Sequence, residues 1–101
     1  MNPNLLKQAR ELQQQLAKIQ EELGNETVTG TAGSGAVTVT LDGHGQLRGV
    51  KIDKAAADPQ DVETLEDLVV VAMNDALAKS TDASQKRMAS LTGGMRIPGL
   101  S

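Results

Sequence analysis

The N-terminal part of the chain shows the hydrophobic pattern of an amphipathic helix. Apolar residues recur at alternating steps of four and three, the a/d stripe of a heptad repeat, and Gln, Lys, Arg and Glu fill most positions between them. Pro3 stands near the start of this pattern and Gly24 follows its end, as is typical of the two ends of a helix. We therefore predict a helix over residues 5–23 with a narrow apolar seam. The seam consists of Leu5, Ala9, Leu12, Leu16, Ile19 and Leu23.

After Glu26 the pattern changes to the period of two that is typical of β-strands. Two runs alternate threonine with small or apolar residues, and a third run, QLRGVKID, slips in phase at Gly49 as at a β-bulge. The connectors GSG and DGHG have the composition of tight turns. We predict a three-stranded antiparallel meander that is covered by helix on one face. Its strands fall within residues 27–32, 37–41 and 46–53.

A second helix is predicted after the strands. In the stretch DPQD, Asp58 is the predicted N-cap and Pro59 the first helical residue. The helix contains LVVVAM at 68–73, whose first four residues point in all directions around a helix axis. A helix that is apolar all round is buried all round, and one small sheet cannot cover it, so we predict that a second subunit does. A buried strand, favoured by the valines, is the alternative structure for this stretch. The predicted dimer interface comprises Leu68, Val69, Val70, Val71 and Met73.

These elements predict an α+β chain of α-β-β-β-α order. A length of 101 residues is that of one domain, and the helical pattern stops at a Gly-Gly pair. We therefore assign residues 1–92 to the domain and residues 93–101 to a tail that contains glycine and proline. If the outer parts of the two helices pack antiparallel, residues 5–18 lie beside residues 79–91 and form a projecting arm.

The composition excludes several classes of protein. The chain has no aromatic residue and no cysteine. A core without aromatic side chains favours help from a second subunit, and the lack of cysteine excludes disulfides, thiolate chemistry and cysteine-ligated zinc. No apolar stretch is long enough to span a membrane, and the N-terminus lacks a signal-peptide pattern. We expect a cytoplasmic protein with no membrane partner.

The charge is distributed unevenly. The net charge of −3 argues against a nucleic-acid binder, but residues 1–20 carry three basic and one acidic residue, and residues 79–101 carry four and one. Residues 21–78 carry three basic and eleven acidic residues. The two basic segments would share the projecting arm, away from an acidic body. From charge alone, a solvated surface is the favoured interpretation of these basic residues over DNA binding.

We find no pattern of catalytic or metal-binding residues. His44, the only histidine, is predicted to be a turn residue that tolerates an unusual backbone angle. Without a second histidine or a cysteine, neither a catalytic triad nor a histidine-rich metal site can form. The acids Glu63, Glu66 and Asp67 fit a solvated helix start, and the glycine-rich runs lack the spacing of nucleotide-binding loops. We expect no enzyme activity, cofactor, metal or small-molecule substrate.

The lack of aromatic residues also narrows the modes of nucleic-acid binding. Single-strand binders and most sequence-reading RNA modules stack bases on aromatic rings. The remaining mode is contact between Lys or Arg and duplex phosphates, which is weak in sequence preference and strongly dependent on salt.

The order of segments resembles the YbaB/EbfC family of bacterial nucleoid-associated proteins. The resemblance rests on LKQARELQQQLAKIQEEL, VTGTAGSGAVTVTLDGHG, VKID, LEDLVVVAMNDA and QKRMASLTGGMRIPG, in that order. It implies a homodimer whose paired helical arms project and bind duplex DNA with little or limited sequence preference. It also implies location at the nucleoid and an influence on nucleoid organisation and gene expression. The implied DNA contacts are Lys7, Arg10 and Lys18 on the first arm, Lys79, Lys86 and Arg87 on the second, and Arg96 on the tail.

Two questions stay open at this level. Lys79 is alone in ALAKSTDAS, where family members often carry more lysine, so the second arm is less basic. A dimeric adaptor whose arms bind another protein fits the heptad seam and the lack of base-reading residues equally well. In the tail, Met95, Ile97 and Leu100 either fold back on the dimer or belong to a disordered segment.

Overall fold

Two long helices flank a small sheet in the computed structural model, which describes residues 3–92. The three strands lie in chain order in one antiparallel sheet, and the predicted α-β-β-β-α order is confirmed. The predicted tail lies outside the described residues. No described helix combines the length and apolarity needed to cross a membrane. The elements are α1 (Pro3–Asn25), β1 (Thr27–Ala32), β2 (Val37–Asp42), β3 (Leu47–Ile52), a short 3-10 helix (Lys54–Ala56) and α2 (Val62–Thr92).

The core lies between α2 and the inner face of β1 and β2. Small residues let the helix approach the sheet closely, and this is most evident at Gly30 in the middle of β1. A Cβ atom placed on Gly30 would lie 2.2 Å from the carbonyl oxygen of Ala72 and 2.2 Å from the amide nitrogen of Ala76. Glycine is therefore required where α2 crosses β1. The buried core consists of Ala32, Val37, Val39, Leu41, Ala72 and Ala76.

The predicted β-bulge is present in β3. Val50 pairs with Val39, and Leu47 pairs with Leu41, so Arg48 is the extra residue between the two pairs. Cross-strand partners share one face of a sheet. The bulge thus keeps Leu47 and Val50 on the inner face, although they are three residues apart, and gives Arg48 a direction of its own.

The predicted N-cap of α2 is wrong by three residues. The Asp58 carboxylate accepts a hydrogen bond from the Gln60 N–H at 2.9 Å, which builds a turn two residues along instead of a helix cap. The helix begins at Val62. Asp61 caps it, because its carboxylate accepts from the Thr64 N–H at 3.3 Å and from the Thr64 hydroxyl at 2.6 Å.

The prediction for the backbone of His44 is also wrong. Among the described residues, the non-glycine residue with a positive φ is Ser34, and in the DGHG turn the positive φ of 82° falls on Gly45. Glycine takes this angle without a steric penalty, so the histidine has no conformational role of that kind. Its side chain instead reaches α1.

The two helices run side by side, antiparallel, beyond the sheet. The groove between their outer turns is lined by Gln8, Leu12 and Gln15 of α1 and by Ser90 and Leu91 of α2. The predicted pairing of residues 5–18 with residues 79–91 is displaced, because Lys79 and Ser80 contact the sheet and the last described turn of α2, at Ser90 and Leu91, is the part beside α1. Burial of the seam increases toward the body, from 62% exposure at Leu5 to 1% at Leu23. The arm therefore packs tightly at its base and loosely farther out.

Candidate nucleic-acid interface

The three predicted cations of α1 form an exposed row. Lys7 and Lys18 are eleven residues apart, which is close to three helical turns, or about 16 Å along the axis. Arg10 follows Lys7 by three residues and lies on the same side. Lys7 and Arg10 lie on the side of the helix away from the apolar seam, and Lys18 borders the groove that Leu12 and Ile19 also line. All three side chains are exposed, and none takes part in an ion pair between described residues. They are available to an anion that approaches from solvent.

Lys86 on α2 is also accessible, although it has a partner. Its ammonium lies 3.0 Å from the Asp82 carboxylate, one turn earlier in the same helix. The side chains are 78% and 61% exposed, and exposed pairs of this kind contribute about 0.3–0.5 kcal/mol. So weak a pair is easily exchanged for a contact with phosphate.

Lys79 is used inside the chain. Its ammonium donates to the Thr29 carbonyl oxygen at 3.0 Å and to the Asp75 carboxylate at 3.2 Å. Asp75 in turn accepts from the Thr31 N–H at 3.0 Å. The hydrogen bond from the Thr31 N–H is the main cause that holds the pKa of Asp75 below its ordinary value, and the hydrogen bond from Lys79 is the second cause. The pair covers backbone groups of β1, which is an edge strand of the sheet, and so protects that edge from pairing with another strand.

Arg87 joins the two helices near the base of the arm. Its guanidinium lies 3.4 Å from a carboxylate oxygen of Glu22 and also forms an ion pair with Glu26. The structure thus directs Arg87 toward the carboxylates at the end of α1. Of the remaining predicted contacts, Arg96 lies outside the described residues.

A second exposed surface is apolar and lies on β3. Leu47, Val50 and Ile52 are 55%, 47% and 39% exposed, although they are the cross-strand partners of the buried Leu41, Val39 and Val37. The reason is geometric: α2 packs over β1 and β2, and one helix is too narrow to cover three strands spaced about 4.8 Å apart. This surface was not predicted from the sequence. The signal was present in the width of the predicted sheet.

The predicted dimer residues of α2 divide into two groups. Leu68, Val69 and Met73 are half-buried against the core. Val70 and Val71 are 57% and 55% exposed, so the helix that is apolar all round is not buried all round within one chain.

One flank of α2 continues the apolar surface of β3. Leu77 lines a cleft beside Gly43 and Gly45 of the β2–β3 turn, whereas Asp75 and Lys79 reach β1 on the other flank. The Leu77 flank therefore faces the side of the sheet on which β3 lies. Together with β3 it forms an apolar face, which we define as Leu47, Val50, Ile52, Val70 and Leu77.

The described residues contain no group of three or more His, Asp or Glu side chains placed to hold a metal ion.

Comparisons with known proteins then indicate the class of the chain. The family model of the YbaB/EbfC DNA-binding family matches residues 1–95. A nucleoid-associated protein of Roseiflexus castenholzii is 48% identical over 100 residues, which cover 98% of this chain and 99% of the relative. A nucleoid-associated protein of Bacillus thuringiensis is 47% identical over 96 residues, which cover 95% and 88%.

A solved structure also matches. A protein from Helicobacter pylori, known from its crystal structure, aligns with a TM-score of 0.70 and 22% sequence identity. The alignment covers 94% of this chain and 97% of that one. At this level of identity the likeness concerns the fold alone.

Proposed function

The chain belongs to the YbaB/EbfC DNA-binding family, a family of DNA-binding and not of enzymatic proteins, and from this membership we propose that it is a nucleoid-associated protein that binds duplex DNA. Its relatives are named nucleoid-associated proteins. We place it on the nucleoid, in the cytoplasm, where coverage of DNA would affect nucleoid organisation and gene expression.

The row of Lys7, Arg10 and Lys18 carries this proposal. Cations that form no ion pair with a carboxylate are able to neutralise phosphates and displace condensed counterions. The row has no aromatic side chain for stacking on bases, so it binds the backbone and shows little sequence preference. We assign the main phosphate contacts to these three residues.

The cations of α2 contribute less to DNA binding than those of α1. Lys86 exchanges its weak partner Asp82 for a phosphate when DNA is bound. Lys79 and Arg87 mainly hold the fold, because each already contacts two acceptors in the chain. Arg96, outside the described residues, stays a predicted DNA contact.

Fluorescence anisotropy tests the proposed function. A labelled duplex of arbitrary sequence is titrated with the protein at several salt concentrations. We expect saturable binding whose logarithm falls linearly with the logarithm of salt, with a slope near −0.9 for each phosphate contacted. Binding that is absent at low salt would contradict the proposal. It would then favour the alternative function, an adaptor whose arms bind another protein, since apolar contacts respond little to salt.

We propose further that the chain forms a homodimer through the apolar face. Five large apolar side chains that are between 39% and 57% exposed lie on one side of this small protein. Such a cluster is typical of an interaction surface. Such a contact would also cover Val70, which the sheet of the same chain leaves exposed. The dimer doubles the number of cations that are presented to DNA.

A charge placed on this face is expected to separate the dimer. Val50→Asp would bury a carboxylate without a partner, and this cost opposes association. The matched control is Thr38→Asp, which places the same charge on the other face of the sheet, opposite Lys51. Sedimentation velocity should show a monomer for Val50→Asp and a dimer for Thr38→Asp. The reverse pattern would assign the dimer contact to the outer face of the sheet.

A further inference from the structure

The turn between β2 and β3 caps the end of α1. The last four carbonyl groups of a helix have no partner within it. Here the N–H of Gly43 donates to the carbonyl oxygens of Leu23 at 2.8 Å and of Glu26 at 3.1 Å. Arg48 Nη2 donates to the Gly24 carbonyl oxygen at 3.2 Å. These bonds come from a part of the chain about twenty residues away from the helix end, so the cap is tertiary rather than local.

His44 extends this cap one turn farther along α1. Its Nε2 lies 2.7 Å from the carbonyl oxygen of Gln20. Because a carbonyl oxygen only accepts, Nε2 carries the proton and donates it. A donor near the negative end of a helix is favourable for the helix dipole. The ring therefore attaches the side of α1, not only its last residue, to the turn.

The turn itself is held rigidly by a buried carboxylate. Asp42 accepts from the N–H groups of His44 at 2.8 Å and Gln46 at 3.0 Å, and from Arg48 at 2.9 Å. Burial alone would raise the pKa of Asp42, but these donors outweigh it and hold the pKa below its ordinary value. The backbone carbonyl of Asp42 accepts from the buried Ser80 hydroxyl at 2.8 Å, which connects the turn to α2.

Close packing also fixes α1 at this point. A Cβ atom on Gly43 would lie 2.5 Å from the carbonyl oxygen of Leu23, and the Leu23 side chain is only 1% exposed. Farther out, the seam of α1 is only partly covered. The direction of α1 therefore depends on its contacts with the turn, together with those it makes with α2, where Arg87 pairs with Glu22 and Glu26.

We propose that the β2–β3 turn is a socket that sets the direction of α1, and that His44 and Arg48 are positioning residues for DNA binding. The proposal rests on the proposed function of α1 as a DNA-binding arm. A row of cations meets several phosphates at once only if its helix has a fixed direction. A helix free to swing must be ordered during binding, and this lowers the affinity without changing the number of contacts.

Two measurements on His44→Ala and Arg48→Ala test this socket. The first uses backbone NMR of the protein without DNA, comparing α1 with α2. In the parent we expect order parameters of about 0.85 in both helices. In the variants we expect lower order parameters and smaller residual dipolar couplings in α1. The values in β1, β2 and α2 should be unchanged. His44→Gln, which retains an N–H donor, should restore the parent values, and Gln46→Ala, in the same turn, should not differ from the parent.

The second measurement is DNA affinity as a function of salt. We expect each variant to bind about three- to tenfold more weakly, with the same salt slope as the parent. A reduced slope would overturn the positioning role, because it would mean that the residue contacts phosphate itself. An α1 that keeps its order and direction in both variants would overturn the socket. If Arg48→Ala does not fold, His44→Ala decides alone, since its side chain is exposed. The NMR result holds even if the protein proves not to bind DNA.

Discussion

Replacing both Lys7 and Arg10 with alanine is expected to weaken duplex binding by about three to four orders of magnitude near 0.1 M salt. The proposed dimer loses four cations, and each contacted phosphate contributes a slope of about −0.9, or roughly eightfold in the binding constant at 0.1 M relative to 1 M salt. The salt slope itself should fall by about four. Binding to all sequences should weaken alike, because these contacts carry no base information.

The matched control for this variant is Lys51→Ala with Lys54→Ala. It removes the same charge from the body of the protein, so it separates the position of the cations from the net charge of −3. Anisotropy titrations at four or more salt concentrations give the affinity and the slope together. Equal losses in the two double variants would show that long-range attraction, and not an α1 contact, drives binding. An unchanged affinity for Lys7→Ala with Arg10→Ala would reject the α1 assignment.

Gly30→Ala is expected to cause the largest loss of stability of any single methyl addition in the sheet. The new Cβ would meet backbone atoms of α2 at 2.2 Å, and backbone cannot rotate away as a side chain can. Overpacking typically costs about 1–3 kcal/mol, and this clash lies above that range. For a domain of this size, each kcal/mol lowers Tm by about 4–8 °C, so we expect a fall of at least about 15 °C or failure to fold.

Gly49→Ala is the matched control for the Gly30 variant. Gly49 also lies in a strand, but no atom lies within 4 Å of a Cβ placed there. We expect its free energy of unfolding to change by no more than about 0.5 kcal/mol. Thermal unfolding followed by circular dichroism compares the two. A Gly30→Ala protein as stable as Gly49→Ala would mean that α2 does not cross β1 at this point.

The periodicity of the sequence predicted most of the fold because local patterns determine most of it. The change from a step of three or four to a step of two located α1 and the strands, and the slip near Gly49 located the bulge. The error at Asp58 is instructive. Asp58 and Asp61 are both good caps by residue type, and the choice between them depends on whether the first carboxylate bonds to a neighbouring N–H in a turn.

The candidate site was less predictable because its main features are contacts between distant residues. In the sequence, Lys7 and Lys79 look alike, since both are lysines on a predicted helix. They differ in the structure because Lys79 donates a hydrogen bond to a carbonyl oxygen on β1. The role of His44 depends on the meeting of a turn with a helix end that lies twenty-four residues earlier in the chain. The periodicity also does not predict where α2 crosses the sheet. The helix lies over β1 and β2, and this position leaves the inner face of β3 exposed.

The most direct test of the account is photo-crosslinking from the exposed side of α1. The chain has no cysteine, so a single cysteine carries the crosslinker without removing any other residue. Gln14→Cys places it among Lys7, Arg10 and Lys18, and Gln60→Cys, the matched control, places it on the body. With a duplex of arbitrary sequence at low salt, we predict strong crosslinks from position 14, suppressed by added salt, and few from position 60. Crosslinks from position 60 alone, or from neither position while binding persists, would contradict the claim that α1 is the DNA-binding arm.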